Sequence, residues 1–326
     1  MGSKGRGRRA ATAGGYVEPA TREGAGMSPP GTSPPGTYPP GVRTTLLPPD
    51  RDGAVARFGV EVHDVDLRGL DAGARDELRE GFRRHKLLLF RDQDLSDDEH
   101  VDVASSFGDI AYEGREERRT VGFVSNHRPD GVLGATAATF HIDYGFFPTP
   151  YEALSLYGLE IPPSGTVTWF ADAIGAAADL PGDLRARVDG CESRAVVDVT
   201  STVGEAGVRV REGRLDESYP HTCRPVLWSH RDTGEEILAV WEQQTDAILP
   251  LPPDESTALL ERLFGHLYQA AHRYQHEWRT GDLVVWDNHA VQHARPEVGT
   301  DEPRTLRRVC IGDTQDLSIF ARYVRK

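Results

Sequence analysis

The tripeptide His141-Ile142-Asp143 is the first candidate for metal binding that we consider. On a β-strand, residues i and i+2 project from the same face, so an imidazole and a carboxylate two residues apart could bind one ion. With a second histidine, such a pair is typical of iron(II) sites that keep coordination positions open. Because the chain has 12 histidines, about one H-x-D match is expected by chance, and the motif alone is a weak signal.

A second H-x-D, at residues 100–102, has the same spacing in a different context. Residues 96–99 (SDDE) form a capping box, which predicts that a helix begins there. In a helix, residues i and i+2 do not face each other, so this motif is a poor chelate. We expect His100 to be an exposed helix residue.

Four segments set the first motif apart from a chance match. Residues 278–294 read WRTGDLVVWDNHAVQHA and resemble the W-R-x-G-D-L-V-x-W-D-N-R-x-x-x-H-x-A signature of the taurine dioxygenase-like (TauD/TfdA) family. Three more segments resemble family motifs in the family's order: FHID at 140–143, GTVTWFAD at 165–172 and PVLWSHRDTG at 225–234. The resemblance extends from about residue 60 to residue 313.

The resemblance implies that His141, Asp143 and His293 bind iron(II) inside a jelly-roll barrel. His289 is a rival to His293, because both could lie on one face of a strand, four residues apart. In the family the position of His289 is usually arginine and that of His293 is the ligand, so we favour His293. His289 is then either a residue behind the ligands or an exposed one.

The resemblance also implies that 2-oxoglutarate is the co-substrate, with Arg304 on its distal carboxylate and Thr168 as a further donor. A guanidinium binds a carboxylate bidentately, which lysine cannot do. On a strand, Arg304 and Arg308 share a face with Leu306 while Arg307 points away. We expect Arg308 nearer the metal, on the keto acid or an anionic substrate. Exposed arginines of an edge strand are the alternative.

The implied activity is that of an iron(II)- and 2-oxoglutarate-dependent dioxygenase, which converts a small molecule, O₂ and 2-oxoglutarate to product, succinate and CO₂. Related halogenases carry a small residue in place of the carboxylate of Asp143. We therefore expect hydroxylation or desaturation. Two other classes stay open: a non-catalytic jelly-roll sensor of a metal or keto acid, and a zinc-dependent hydrolase that would not need Arg304. Dependence on oxygen and 2-oxoglutarate separates the three.

Two departures from the taurine-cleaving members argue against taurine as the substrate. Residues 110–113 after Asp109 lack a histidine, and residues 137–139 lack an asparagine that those enzymes carry. We expect a small amino acid or another carboxylate-bearing metabolite, held by Arg308. Three aromatic residues after the H-x-D could line its pocket or pack in the core: Tyr144, Phe146 and Phe147.

Hydrophobic periodicity predicts that these motifs lie in a mainly β protein with flanking helices. Residues 70–85 and 254–274 have apolar residues at helical spacing, and residues 86–91 are typical of a buried strand. From residue 120 onward, short β-rich runs broken by Gly and Pro predict a double-stranded β-helix (jelly-roll) core. We expect the helices to pack on one outer face.

The first 48 residues differ in composition from the rest of the chain. They are rich in Gly and Pro and include the near-repeat PPGTSPPGTYPPG. Such a segment cannot bury enough apolar surface to form a core. We predict a disordered arm at residues 1–48 and one oxygenase domain at residues 49–326.

Bulk composition narrows the partners and the compartment. The net charge of −14 disfavours nucleic acid, and the apolar runs fall short of the roughly 20 residues of a membrane span. The three scattered cysteines argue against a disulfide framework and a structural zinc site. We expect a cytoplasmic protein without a nucleic-acid or membrane partner, and the resemblance allows for a homo-oligomer.

Overall fold

Among the described residues the chain builds four β-sheets, and the two largest of them enclose the core, with helices outside them. A computed structural model describes residues 43–47, 58–113, 118–197 and 221–315. The strands are β1 (Arg43–Leu46), β2 (Val60–His63), β3 (Leu87–Phe90), β4 (Gly122–Ser125), β5 (Gly131–Leu133), β6 (Ala138–His141), β7 (Ala153–Glu160), β8 (Val167–Asp172), β9 (Glu192–Val196), β10 (His221–Pro225), β11 (Leu227–Ser229), β12 (Glu236–Leu238), β13 (Thr245–Leu249), β14 (Arg273–Glu277), β15 (Leu283–Asp287), β16 (Val291–Arg295) and β17 (Thr305–Ile311). The α-helices are α1 (Ala72–His85), α2 (Asp97–Ala104), α3 (Ala173–Ala178), α4 (Gly182–Val188) and α5 (Pro253–Leu267).

The larger sheet has eight strands in the order β1-β2-β3-β15-β7-β17-β4-β5. Successive side chains of a strand point to opposite faces, so Leu87 and Leu89 of β3 lie in the inner core while Leu88 and Phe90 lie in the outer one. A strand buried on both faces is a continuous apolar run. The predicted strand at residues 86–91 is confirmed.

The smaller sheet has four strands in the order β14-β8-β16-β6. Its Phe170 and Tyr274 share one apolar core with Leu154 and Trp286 of the larger sheet. The ring of Trp286 meets that of Phe170 edge-on, with centroids 5.2 Å apart. The two sheets therefore enclose the core between them, and the predicted mainly β fold with a jelly-roll core is confirmed.

The helices flank the sheets in two groups. Leu78 and Phe82 of α1 and Val103 of α2 pack on the outer face of the larger sheet. Helices α3, α4 and α5 enclose a second apolar cluster with β12 and β13, around residues such as Leu184 and Leu260. The expectation of one helical face is wrong, because the chain between β8 and β14 buries a separate apolar surface of its own.

The predicted helix boundaries are partly right. Asp71 caps α1 through the amide of Ala74, and the capping box of Ser96 and Glu99 is present at the start of α2. The helix predicted at residues 254–274 spans Pro253–Leu267, and Leu267 is its last buried residue. Residues 273–277 extend instead as β14 along the edge of the smaller sheet.

The ordered sheet begins within the segment assigned to the N-terminal arm. Strand β1 pairs antiparallel with β2. This pairing satisfies the backbone hydrogen-bonding groups on one side of β1. Residues 43–46 of the predicted arm thus take part in the larger sheet, and residues 1–42 lie outside the described residues. Among the described helices, none combines the length and apolar character needed to span a membrane.

Candidate active site

Two histidines and one aspartate meet where the smaller sheet faces the core. His141 ends β6 and pairs directly across the ladder with His293 of β16. Nε2 of His141 lies 3.4 Å, and Nε2 of His293 3.7 Å, from Oδ1 of Asp143. One ligand atom from each residue lies within 4.8 Å of the others. For metal–ligand bonds near 2.1 Å, neighbouring ligand atoms are about 3 Å apart, so this set fits one divalent cation.

Asp143 is held in place from outside its own strand. β6 ends at His141, so Asp143 lies in the following turn and not on the strand as predicted. The side chain of Asn288 accepts from the amide of Asp143 at 2.9 Å and donates to its carbonyl at 3.0 Å. Ile142 points the opposite way, into a cluster with Trp241. The alternation expected of a strand therefore persists through the turn.

The protonation of the three groups also suits a cation. Nδ1 of His141 lies 2.8 Å from the carbonyl oxygen of Thr139. A carbonyl only accepts, so Nδ1 carries the proton and the lone pair is on Nε2. Burial lowers the pKa of His293 to about 3. Burial alone would raise the pKa of Asp143, but His141 and Arg308 outweigh it, and the pKa lies below its usual value.

Two predicted arginines and the predicted threonine line the same cavity as the three candidate ligands. Arg304 is 1% exposed, and burial followed by the charge of Arg295 lowers its pKa to about 9. The Thr168 hydroxyl accepts from Nε1 of Trp278 at 2.9 Å, which leaves the hydroxyl proton free to donate. All six predicted site residues thus meet at one cavity: His141, Asp143, Thr168, His293, Arg304 and Arg308.

Arg308 lies at the metal end of the cavity, as predicted. Its Nη1 is 3.2 Å from Oδ2 of Asp143, and its Nη2 is 2.5 Å from Oε1 of Glu113. Burial would lower the pKa of Arg308, but the two carboxylates raise it well above its usual value. Arg307 points away and binds Asp97. The alternation is as predicted, although the strand begins one residue after Arg304.

Sequence reasoning missed three residues of this region. Asn288 forms a hydrogen bond with the backbone of Asp143, and Glu113 forms an ion pair with Arg308. Arg295 lines the cavity together with Arg304. For Arg295 a signal was available, since it lies two residues after His293 and so on the same strand face. For Asn288 the W-D-N element of the family signature was also a signal. Glu113 reaches Arg308 across the fold, and no local pattern marks it.

The two competing histidines lie elsewhere. His289 precedes β16, is 8% exposed and packs against Trp228, with ring centroids 5.0 Å apart, so the exposed alternative is wrong. His100 is 0% exposed, and the prediction of an exposed helix residue is also wrong. Arg307 and Ser155 bind its two ring nitrogens, which removes the penalty for burying them.

The three aromatic residues after Asp143 pack against one another. Centroids of Tyr144, Phe146 and Phe147 lie 5.4–5.6 Å apart. Tyr144 also meets Tyr151 edge-on at 4.8 Å and borders the inner core. Phe147 is buried and Phe146 is half-buried. These contacts favour the core alternative for all three.

A jelly-roll core whose cavity holds two histidines, a carboxylate and a buried arginine defines the class of iron(II)- and 2-oxoglutarate-dependent oxygenases. The profile of the family described as "Taurine catabolism dioxygenase TauD, TfdA family" matches residues 44–310. The chain therefore belongs to the TauD/TfdA family. It is an oxidoreductase of the dioxygenase type, with iron(II) as cofactor and 2-oxoglutarate as co-substrate.

Similar proteins cover most of the chain. It is 29% identical to the (S)-phenoxypropionate/alpha-ketoglutarate-dioxygenase of Sphingobium herbicidovorans, over 73% of this chain and 86% of that protein. It is 28% identical to the alpha-ketoglutarate-dependent 2,4-dichlorophenoxyacetate dioxygenase of Cupriavidus pinatubonensis, over 77% and 93%. The crystal structure of a taurine dioxygenase from Burkholderia xenovorans superposes with a TM-score of 0.67 at 26% identity, over 83% of this chain and 91% of that one.

Proposed function

We propose that the enzyme hydroxylates or desaturates a small carboxylate-bearing metabolite or amino acid, and that His141, Asp143 and His293 hold the iron. The observation that carries this proposal is the convergence of the three ligand atoms within 4.8 Å in a cavity that Arg304 and Thr168 also line. When bound, the iron and the keto acid supply the oxidising chemistry. The protein orients the substrate and excludes water.

Arg304 and Thr168 bind the distal carboxylate of 2-oxoglutarate in this proposal. Arg304 is charged at neutral pH even with its pKa near 9, and its Nε is buried without a hydrogen-bond partner among the described residues. Such a group is stabilised by an incoming carboxylate. The Thr168 hydroxyl, fixed by Trp278, has its proton available for the same anion.

Arg308 is the proposed contact for the carboxylate of the substrate. Its position next to Asp143 sets a bound anion beside the reaction centre. The two relatives named above act, by their names, on phenoxypropionate and 2,4-dichlorophenoxyacetate, which are both carboxylates. Because the carboxylate of Asp143 occupies the place where halogenases bind chloride, the expected product is unchlorinated, which mass spectrometry of the product in chloride buffer checks.

The test is anaerobic reconstitution with iron(II), followed by titration with 2-oxoglutarate and detection of the visible charge-transfer band of the chelate. We expect a band in the wild type, none in His293→Ala and a weaker one at equal keto-acid concentration in Arg304→Ala. His289→Ala is the matched control, because it removes a buried histidine four residues from the ligand. It should keep the band.

The titration, followed by an aerobic assay of succinate release, tests the proposed function against the two other classes that the sequence left open. A metal-loaded wild type without a band would favour a zinc-dependent hydrolase or a sensor that does not chelate the keto acid. A band without oxygen-dependent succinate release, across a panel of carboxylates and amino acids, would favour a non-catalytic sensor. Succinate release that requires oxygen supports the dioxygenase.

A further inference from the structure

Arg295 is a second buried guanidinium in the cavity and has no assigned role. It lies two residues after His293 on β16, where a register shift in the pairing with β6 sets Arg295 opposite Ala138. Its side chain borders the cavity together with Arg304, and the residue is only 6% exposed. A charged side chain buried to this degree requires partners, because an unpaired buried charge is strongly destabilising.

The protein satisfies one nitrogen of Arg295 and leaves two without partners. Nη2 donates to the carbonyl oxygens of Leu133, Gly134 and Thr136 at 3.1, 2.9 and 2.5 Å. Nε and Nη1 are buried and have no hydrogen-bond partner among the described residues. A role confined to holding the loop at residues 133–136 accounts for Nη2 and leaves the other two donors unexplained.

Arg304, which lines the same cavity, also has a buried nitrogen without a hydrogen-bond partner among the described residues. Its Nε is also buried without a described partner, and its Nη1 has one long contact, 3.4 Å to the carbonyl of Val124. Arg295 and Arg304 are close enough for the charge of one to lower the pKa of the other. Two like charges with unused donors, and no described carboxylate paired with either, form a receptor for an anion.

The anion at this end is not the one that Arg308 binds. Arg304 and Arg308 are four residues apart, about 13 Å along an extended strand. Arg308 is already paired with Asp143 and Glu113. Arg295 instead lies with Arg304, the residue that the proposed function puts on the co-substrate.

We propose that Arg295 is a second binding residue for the distal carboxylate of 2-oxoglutarate, and that it links this carboxylate to the loop at residues 133–136. The inference rests on the proposed function. One of the two free donors, Nε or Nη1, donates to the carboxylate while Nη2 keeps its carbonyl partners. Leu133 of that loop lines the cavity, so the carboxylate also fixes part of the cavity wall.

The test compares two keto acids that differ only in the distal carboxylate. Iron(II)-loaded protein is titrated anaerobically with 2-oxoglutarate and with 2-oxobutanoate, and both dissociation constants are read from the charge-transfer band. For Arg295→Met we expect the constant for 2-oxoglutarate to rise roughly ten- to a hundredfold and that for 2-oxobutanoate to stay unchanged. Arg295→Lys keeps the charge but not the planar guanidinium and should fall in between.

Two comparison variants calibrate the result. Arg304→Met should show the same selective loss. Arg128→Met removes an arginine paired with Asp130 at the surface and should change neither constant. The ratio of the two constants within one variant is the deciding quantity, so partial unfolding does not obscure it. If Arg295→Met does not fold, the ratio for Arg295→Lys decides.

The outcomes that overturn the inference differ from those that overturn the proposed function. An equal loss for both keto acids would mean that Arg295 only supports the loop, and no loss for either would remove it from the site. In both cases the wild-type band and the Arg304 effect would leave the proposed function standing. A wild type without a band would defeat the proposed function itself and the inference with it.

Discussion

The two carboxylate oxygens of Asp143 face different partners, and Arg308 holds the outer one. Oδ2 lies 3.2 Å from Nη1 of Arg308, while Oδ1 faces Nε2 of His141 and of His293. A carboxylate fixed in this way presents a single oxygen to a cation. In the proposed site, Arg308 would therefore position the metal ligand Asp143 in addition to its contact with the substrate.

Replacement of Arg308 should weaken metal binding before any keto acid is present. Loss of a side chain that orients a ligand typically lowers metal affinity about 10- to 100-fold, and we expect a loss in this range for Arg308→Met. Calorimetric titration of the metal-free protein with manganese(II) measures it. Arg128→Met, at a surface ion pair with Asp130, is the control. Unchanged affinity in Arg308→Met would show that Asp143 needs no such support.

Asn288 and Asn126 make similar amide contacts to two different functional residues. Asn288 binds both backbone groups of Asp143 and also the carbonyl of Tyr151. Asn126 accepts from the amide of Arg304 at 2.8 Å and donates to two carbonyls. In each case Asn→Asp keeps the shape but turns a carboxylate oxygen toward carbonyl oxygens.

The two substitutions should therefore have separable effects. Asn288→Asp should lower manganese(II) affinity and the free energy of unfolding, the latter by about 2–4 kcal/mol for lost buried hydrogen bonds. Asn126→Asp should weaken 2-oxoglutarate binding and leave metal affinity unchanged. Each variant serves as the control of the other. Equal losses of metal affinity in both would argue that they act through global stability.

Thr168 and Trp278 allow a test of how the Thr168 hydroxyl, the proposed donor to the co-substrate, is oriented. Thr168→Val removes the acceptor of the buried Trp278 Nε1, so we expect the free energy of unfolding to fall by about 1–3 kcal/mol and 2-oxoglutarate to bind more weakly. Trp278→Phe breaks the same hydrogen bond but keeps the hydroxyl. It should weaken 2-oxoglutarate less, by titration of the charge-transfer band. A larger effect of Trp278→Phe on binding would contradict the role given to Thr168.

Much of the fold and of the site could be predicted from the sequence, because apolar runs, residue spacing and motifs are local features of the chain. The apolar run at residues 86–91 predicted the buried strand β3, and the spacing of Arg304 and Arg308 predicted that both lie on one strand face, which borders the cavity. The family resemblance chose His293 over His289, which the alternation alone could not do. The strand begins only at Val291, so the shared strand face assumed for the two histidines does not exist.

What the sequence could not show depends on partners distant in the chain. His100 has the polar character of an exposed helix residue, yet Ser155 and Arg307 meet it in the core. Glu113 reaches Arg308 from another part of the fold, and the absence of a side chain at Gly122 leaves room for it. Such pairs depend on how sheets and helices come together, and no periodicity encodes them.

The burial of His100 leads to a prediction about stability and pH. Its Nδ1 accepts from Nε of Arg307 at 3.0 Å, and its Nε2 lies 2.7 Å from the hydroxyl of Ser155. Burial, and then the charge of Arg307, lowers the pKa of His100 well below its usual value. The folded protein thus leaves His100 neutral at pH 5–6, where an unfolded histidine with a pKa near 6.5 takes up a proton.

Stability should therefore fall as the pH falls below about 6.5, since the unfolded state binds more protons there. Each such histidine contributes up to about 1.4 kcal/mol per pH unit, and His276 and His289, with pKa values also lowered by burial, act in the same direction. His100→Gln should reduce this slope in urea unfolding of the metal-free protein between pH 5 and 7. Ser155→Ala is the matched control, because it loses the same hydrogen bond but keeps the histidine, and its slope should equal that of the wild type. An unchanged slope in His100→Gln would mean that His100 is protonated in the folded protein, against the donor role of Arg307.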